Sequence, residues 1–583
     1  MLLAPLRRTL RWLVSLADAE GRIVCPDHKV EHSGKNAYVI VLAAELAKHD
    51  PAADRAWLRD VAVRQGRRLV ANLLREGEST CFTFRPGRHD PFNCSNNVID
   101  GGACSDALAE LVQVFGAELS AEDRAAFERA SVLHAQTYLR YAVLDKGIPA
   151  QSAWALTGVA NAWKLSGHAV LELTVNEGAG RLFGLQHRDG SYPYHPLEEG
   201  AAHVGSSDVS AFYQSRVTAF LLFALHKLGR DPARPPFRMQ IAAGLEFLRA
   251  LVGPDGVKVG GLEAKPWYWG AEYEVASNPF DVYALAIGGR ALGDPSLIQL
   301  ARGSFDAWAR HVDADGVPRD HRPGPGRRRS YQCPVFWAGH AAWAARALSE
   351  LNGVRPEPAS DGLVIDVRHF KGAGLARLED RAVIAWVRGA RPAGNVHHGS
   401  PRGAGLLRVF GKADGRDLWV AGAPNQRAGE GEWTGRVGGW SRARARASVA
   451  GELRFSGWLA RAYARRGEWG RGLRTPLEVA WRGGREFGTA RASSAFVLDP
   501  ALHVMGDGVE LASGVAWRDG ARVPGVELSR RYRVEGDGLL VEEHLQGAGA
   551  LRFVPPRGAG VSLVEATPTR AVWRVGHIGG GSK

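Results

Sequence analysis

Sulfur is scarce in this chain: its 583 residues include five cysteines and three methionines. Five cysteines over such a length do not make a disulfide framework, and an odd number leaves at least one outside any pairing. Cys94 and Cys104 flank a polar segment, but their spacing fits no zinc site. Long apolar runs are missing too, none reaching the ~20 residues that cross a bilayer, so membrane insertion is excluded. The opening residues, MLLAPLRRTLRWLVSLADAEGR, interrupt their apolar positions with Arg7, Arg8 and Arg11 and read as an amphipathic helix, not a signal peptide. The expected location is the cytoplasm, or an exported state whose signal is absent from this chain. Also absent are zinc-finger spacing, RNP-like aromatic motifs and a basic zipper, which sets nucleic acid aside as a partner.

What is present is globular: hydrophobic residues make up 45% and charged residues 23%, and the length calls for two or more domains. The net charge of +13 attracts anions, an acidic polymer among them, although Arg-, Ala- and Gly-rich usage is equally what a GC-rich genome produces. The 18 tryptophans fill cores or line surfaces on which sugar rings stack.

From residue 5 to about 352 the apolar periodicity is helical and recurs in pairs. First members such as KNAYVIVLAAELAKH, GACSDALAELVQVFG, QSAWALTGVANAWKLSG and FWAGHAAWAARALSELNG are small and aromatic, several ending on the glycine that stops a helix. Second members open on Asp-Pro or Ser, as in DPAADRAWLRD and SAEDRAAFERA, and several run into the turns Asp189-Gly190, Asp255-Gly256 and Asp315-Gly316. About six such pairs predict an α/α toroid over residues 1–352, preferred to an open solenoid because the pairs share no consensus. A linker follows over 353–361. Residues 362–583 alternate in short stretches, LVIDVRHF, RAVIAWVRG, GLLRVFG, LSRRYRVEG and GLLVEEHLQG, which predicts an antiparallel β-sandwich. The fold class is thus α+β, multidomain.

Four clusters carry chemistry. In NCSNNVIDGG, Asn96 and Asn97 stand at an inner-helix start, where a carboxamide caps the helix or donates to a substrate carboxylate. HRDGSYPYHPLEEGAAHVGSSDVSAFYQSR supplies His203 from a long polar loop and Tyr213, Gln214 and Arg216 from the helix that follows. In KPWYWGAEYEVASNPFD, Trp267, Tyr268 and Trp269 interleave with Glu272 and Glu274, which suits a pyranose ring or forms an aromatic core knot. GNVHHGS brings His397 and His398 from the β domain, without the further Asp or His spacing of a metal site.

On these residues the chain resembles the heparinase II/III-like polysaccharide lyases, which join an α/α toroid to a β-sandwich. The resemblance implies elimination across C4–C5 of a uronic acid in an acidic polysaccharide. Tyr213, following the Asp189-Gly190-Ser191-Tyr192 motif, is the implied base and acid; Asn97, with His203 or His398, neutralises the carboxylate. Asn96, Arg216, Gln214, Trp267, Tyr268, Trp269, Glu272, Glu274 and His397 are the candidate substrate-binding residues. The sequence departs from the family pattern at Val98, where a His is expected, and at Gly399-Ser400, where an Asp is missing. No cofactor or metal is needed. Three alternatives stand beside it: a glycoside hydrolase using carboxylates among Asp100, Glu272, Glu274 and Asp281, a uronate C5-epimerase, and a non-catalytic polysaccharide-binding protein.

Overall fold

The computed structural model describes residues 2–27, 31, 33–82, 95–193, 209–260, 262, 273–319, 333–355, 365–389, 404–421, 430–437, part of 450–481, 491–517, 521–547, 549–558 and 560–576. Helices α2 (Ser33–His49), α4 (Ser95–Phe115), α7 (Pro149–Ser166), α9 (Ala211–Lys227), α11 (Asn278–Leu292) and the short pair α13 (Pro334–Gly339) and α14 (Ala341–Ala345) form an inner set. They alternate with α1 (Leu3–Ser15), α3 (Arg55–Ala71), α5 (Ala121–His134), α6 (Arg140–Asp145), α8 (Ala169–Leu185), α10 (Arg238–Leu251) and α12 (Pro295–Arg310); α15 (Leu348–Leu351) ends the helical part. Most residues of α2, α7 and α9 are buried, the mark of a helix enclosed by its neighbours, whereas α10 and α12 bury one face. Each inner helix packs on the next, α2 on α4, α4 on α7, α7 on α9, α9 on α11 and α11 on α14, and α14 returns to α2. No helix among the described residues is long and apolar enough to cross a membrane.

Glycine lets the inner helices approach. A Cβ at Gly34 of α2 falls 2.4 Å from Asp100 Cα of α4, and one at Gly102 falls 2.5 Å from the Trp154 carbonyl of α7. The outer helices are tied by a recurring turn. Glycines 190, 256 and 316, all at positive φ, close turns after α8, α10 and α12. Cβ atoms there fall 2.0 Å from Ala243 O, 2.1 Å from Gly303 O and 2.2 Å from Arg8 O, so each turn sits on the backbone of α10, α12 and finally α1. The amphipathic first helix thereby completes the outer layer.

At the end where the inner helices finish, a buried ion network fills the axis. Arg346 forks onto both oxygens of Asp106 at 2.9 and 3.0 Å, and Lys227 meets Glu110 at 2.9 Å. Lys48 meets Glu45 at 3.0 Å, and Asn161 donates to Asp106 at 2.8 Å. Among the described residues three buried carboxylates thus face Arg346, Lys227 and the more exposed Lys48.

Beyond the hairpin β1 (Leu74–Glu76) and β2 (Ser79–Cys81), the strands among the described residues follow the helices. A five-stranded sheet runs in sequence order: β3 (Asp366–Phe370), β4 (Leu375–Glu379), β5 (Val383–Gly389), β6 (Ala404–Gly411) and β7 (Arg416–Val420). The eight-stranded sheet contains β8 (Glu432–Arg436), β9 (Arg491–Val504), β10 (Gly508–Trp517), β11 (Arg522–Glu535), β12 (Gly538–Gln546), β13 (Arg552–Val554), β14 (Val561–Ala566) and β15 (Arg570–Gly576). Its order is β13-β8-β9-β10-β11-β12-β15-β14, with every pair antiparallel. The sheets share one apolar core, Ala385 and Val387 of the first meeting Leu511, Val541 and Trp573 of the second.

The five-stranded sheet docks on the recurring turns. Asp189 Oδ2 accepts from the Gly372 and Ala373 amides at 2.6 and 3.2 Å. Arg408 reaches Asp255 at 2.6 Å and the Val257 carbonyl at 2.8 Å, while the Trp386 indole donates to Ala250 O at 2.7 Å. The aspartates of two turns thus hold the β domain.

Candidate active site

Tyr213 lies in the first turn of α9. Ser210 caps that helix, its hydroxyl accepting from the Tyr213 amide at 3.2 Å, which fixes where the phenol leaves the backbone. The side chain is half-buried. One turn further, the guanidinium of Arg216 is fully buried, donating to Phe212 O at 2.7 Å. It lies 3.6 Å from the Phe212 ring centroid, 4.2 Å from Phe280, 5.7 Å from Trp154 and 5.8 Å from Tyr213. Aromatic faces offer their negative quadrupole to this cation, and the first turn of a helix adds positive potential. The structure therefore places a permanent positive charge beside a partly exposed phenol.

Asn97, in the first turn of α4, is fully buried, its Nδ2 donating to the Thr80 carbonyl at 3.3 Å. Gln214 has a different task from the one its position in the sequence predicts. It is 1% exposed, its Oε1 accepts from the Tyr192 amide at 3.0 Å, and its Nε2 donates to Gly190 O at 3.1 Å. It holds the Asp189-Gly190 turn against α9 and does not face a substrate. Asn278 does the same for the next turn, donating to Gly256 O at 3.0 Å.

The described carboxylates near this end are poorly placed for acid–base work on a sugar. Asp281 is fully buried and paired at 2.8 Å with Lys258, itself buried, whose ammonium also donates to Ser215 at 3.1 Å and to Ser277. Burial pushes the Asp281 carboxyl up to about 6, against the pull of Lys258. Asp100 is 2% exposed and pressed against Gly34.

His340, between α13 and α14, went unnoticed in the sequence. Its Nδ1 donates to the Ala276 carbonyl at 2.6 Å, and its ring stands edge-on to Phe336, Phe280 and Tyr38 at centroid distances of 4.3, 4.8 and 6.1 Å. Burial first, and Arg216 second, hold this imidazole well below the ordinary histidine range, so it stays neutral. The one signal in the sequence was a lone His inside the apolar run FWAGHAAWAA. His203, Trp267, Tyr268, Trp269, Glu272, His397 and His398, and the side chains of Asn96 and Glu274, lie outside the described residues.

No protein-family model matches the chain, and no curated protein matches its sequence. Among solved structures it is similar to xanthan lyase from Paenibacillus, at a TM-score of 0.53 and 11% identity over 97% of this chain and 48% of that one. It is also similar to a tyrosine-to-alanine mutant of the Streptomyces coelicolor A3 chondroitin AC lyase, at a TM-score of 0.51 and 11% identity over 98% of this chain and 76% of that one. A sugar epimerase from a ruminal bacterium aligns with 59% of this chain and 99% of its own length, at a TM-score of 0.43 and 13% identity. The two lyase alignments run through helices and sheets alike, so the helical part followed by sheets is an arrangement this chain shares with polysaccharide lyases.

Proposed function

We propose that this protein is a polysaccharide lyase of the heparinase II/III-like kind, cleaving an acidic, uronate-containing polysaccharide by β-elimination on a six-membered α/α toroid completed by a β-sandwich. The observation that carries the proposal is the pairing of a half-buried Tyr213 with the buried cation Arg216 at the end of the ring where the inner helices begin. The fold shared with proteins named xanthan lyase and chondroitin AC lyase supports it. Against a two-carboxylate hydrolase stands the Lys258 partner of Asp281.

In the proposed reaction the Tyr213 oxygen takes the proton from C5 of the uronate. That electron pair becomes the C4=C5 double bond, the C4–O bond breaks, and the departing glycosidic oxygen takes a proton from Tyr213 or from a histidine. Charge developing on the carboxylate is met by Asn97 and by His203 or His398. Asn96, Trp267, Tyr268, Trp269, Glu272, Glu274 and His397 shape the sugar subsites in this reading. Arg216 acts from below the phenol, not on the sugar.

Anionic polysaccharides incubated with the protein should gain absorbance near 235 nm, about where unsaturated uronates produced by such general acid–base chemistry absorb. Tyr213→Phe should abolish that signal while substrate still binds in calorimetry. New reducing ends without absorbance would identify a hydrolase, and solvent deuterium uptake without cleavage an epimerase. Binding by the wild type with no turnover on any acidic glycan would leave a carbohydrate-binding protein.

A further inference from the structure

The three Asp-Gly turns are followed by different residues. Two positions after the glycine stand Tyr192, Lys258 and Pro318. Lys258 and Pro318 form equivalent backbone bridges, to Val252 and Val312, so a turn of this kind closes without a lysine. Yet the Lys258 side chain is 0% exposed and lies against Asp281, a burial rare for this residue type. Burying an ion pair is a weak way to gain stability, because desolvation offsets most of the attraction. The other contacts of the ammonium point to a different task.

Lys258 Nζ lies 2.8 Å from Asp281 Oδ2, donates to Ser215 Oγ at 3.1 Å and also donates to Ser277 Oγ. Ser277 and Asp281 stand at the start of α11, and Ser215 stands in α9 one residue before Arg216. One charged group therefore ties two neighbouring inner helices together. From Ser215 the contacts continue toward the site. Its hydroxyl donates to Phe212 O at 3.1 Å, and the same carbonyl accepts from Arg216 Nη1 at 2.7 Å. Lys258 thus reaches, through one hydroxyl, the carbonyl that seats the guanidinium beside Tyr213. On its other side the turn is gripped by the β domain, Arg408 of β6 donating to Asp255 at 2.6 Å and to the carbonyl of Val257, the residue before Lys258, at 2.8 Å.

We infer that Lys258 is a positioning residue for Arg216 and, through it, for Tyr213: it carries the place at which the docked β domain holds the Asp255-Gly256 turn to the start of α9. The inference rests on the reading of Tyr213 as the base and of Arg216 as the cation beside it. With its ammonium enclosed, Lys258 does not touch substrate. Its effect on the reaction passes through Ser215 and Arg216.

Kinetics on whichever acidic polysaccharide the wild type cleaves test this, with melting curves confirming that each variant is folded at the assay temperature. Ser215→Ala cuts the path to Phe212 O but leaves the Lys258–Asp281 pair in place; kcat should fall about 10-fold with KM unchanged within about two-fold. Ser277→Ala removes another hydrogen bond of the same ammonium, off that path, and should lower kcat by less than about two-fold, whereas a merely structural lysine would make the two serine variants alike. Arg408→Met, which releases the turn from the sheet, should lower kcat by about 5-fold. Adding Ser215→Ala to Arg216→Met should cost no more than a further two-fold or about that, because the cation to be positioned is gone. Equal losses in the two serine variants, a wild-type kcat in Ser215→Ala or Arg408→Met, or multiplicative losses in the double variant would overturn the inference while leaving Tyr213 and Arg216 in their roles. Wild-type rates for Tyr213→Phe, or no unsaturated product from the wild type, would instead sink the reading of the site and the inference with it.

Discussion

At the scale of the residue, the candidate site was partly legible because polar side chains stand out in helices that are otherwise apolar. Tyr213 and Arg216 were visible for that reason, and the structure brings them together within one turn. Gln214 was equally visible and was misread, since a sequence does not say whether a carboxamide faces a cleft or holds a turn; here both its amide atoms go to backbone. His340 and Lys258 were missed because their partners, Ala276 and Asp281, are distant in sequence. The role given to Arg216 has a direct check. Arg216→Met keeps an unbranched chain among Phe212, Phe280 and Trp154 but removes the charge. The change also removes the attraction of Arg216 for the buried Asp281 carboxylate, so the melting temperature should fall by several degrees, with the variant still folded at the assay temperature. Turnover should fall about 100-fold, the scale of losing one electrostatic contributor in a closed site. A variant that melts normally and cleaves at the wild-type rate would remove Arg216 from the reaction.

Among the elements, helix starts and stops were the most readable features. Asp54, Ser120 and Asp294 cap α3, α5 and α12 through their side chains, and Gly167 and Gly293 end α7 and α11 in the left-handed conformation. The stretches read as strands reappear in β3, β5, β6, β11 and β12. FWAGHAAWAARALSELNG, read as one helix, is instead divided into α13, α14 and α15, with His340 at the first break and Arg346–Ala347 at the second. The Asp-Gly pairs were read as turns, but their function was hidden: it depends on contacts with outer helices some 50 residues away in the chain, or, for Gly316, at its other end. Gly256 shows how strict this is. An alanine there adopts a positive φ of 78° and drives its Cβ into the Gly303 carbonyl, a backbone atom that cannot rotate away. Gly256→Ala should therefore cost about 2–4 kcal/mol in denaturant unfolding, with strain and overpacking adding. Gly180→Ala, at an open position on α8, should leave the midpoint nearly unchanged or raise it. Equal midpoints for the two variants would mean that the turn yields to the added methyl.

For the whole molecule, the buried histidines set how stability responds to acid. His134 is held by burial at about 3, and His340 well below the histidine range, so the folded protein keeps both neutral near neutral pH. The unfolded chain protonates each near pH 6.5, so below that value it binds protons the folded state refuses, and stability falls as pH falls. Between pH 7.5 and 6 the two together should remove about 1.5 kcal/mol. Asp281 works in the opposite sense. Its folded-state value of about 6 lies above its unfolded one, so it stabilises the fold as pH drops below 6 and blunts further loss. Carboxylates depressed in the fold, such as Glu110, lose their contribution only in more acidic solution. Between pH 7.5 and 6 the histidines therefore dominate, offset by about 0.4 kcal/mol from Asp281, which is half protonated at pH 6. Urea unfolding followed by far-ultraviolet circular dichroism should show the midpoint falling across this interval, and His340→Asn, whatever its effect at pH 7.5, should shrink the drop by about 0.8 kcal/mol. An unchanged pH dependence in His340→Asn would mean that this imidazole titrates in the folded protein, and that the axis of the helical ring is wet where the packing of Phe280, Phe336 and Tyr38 requires it to be dry.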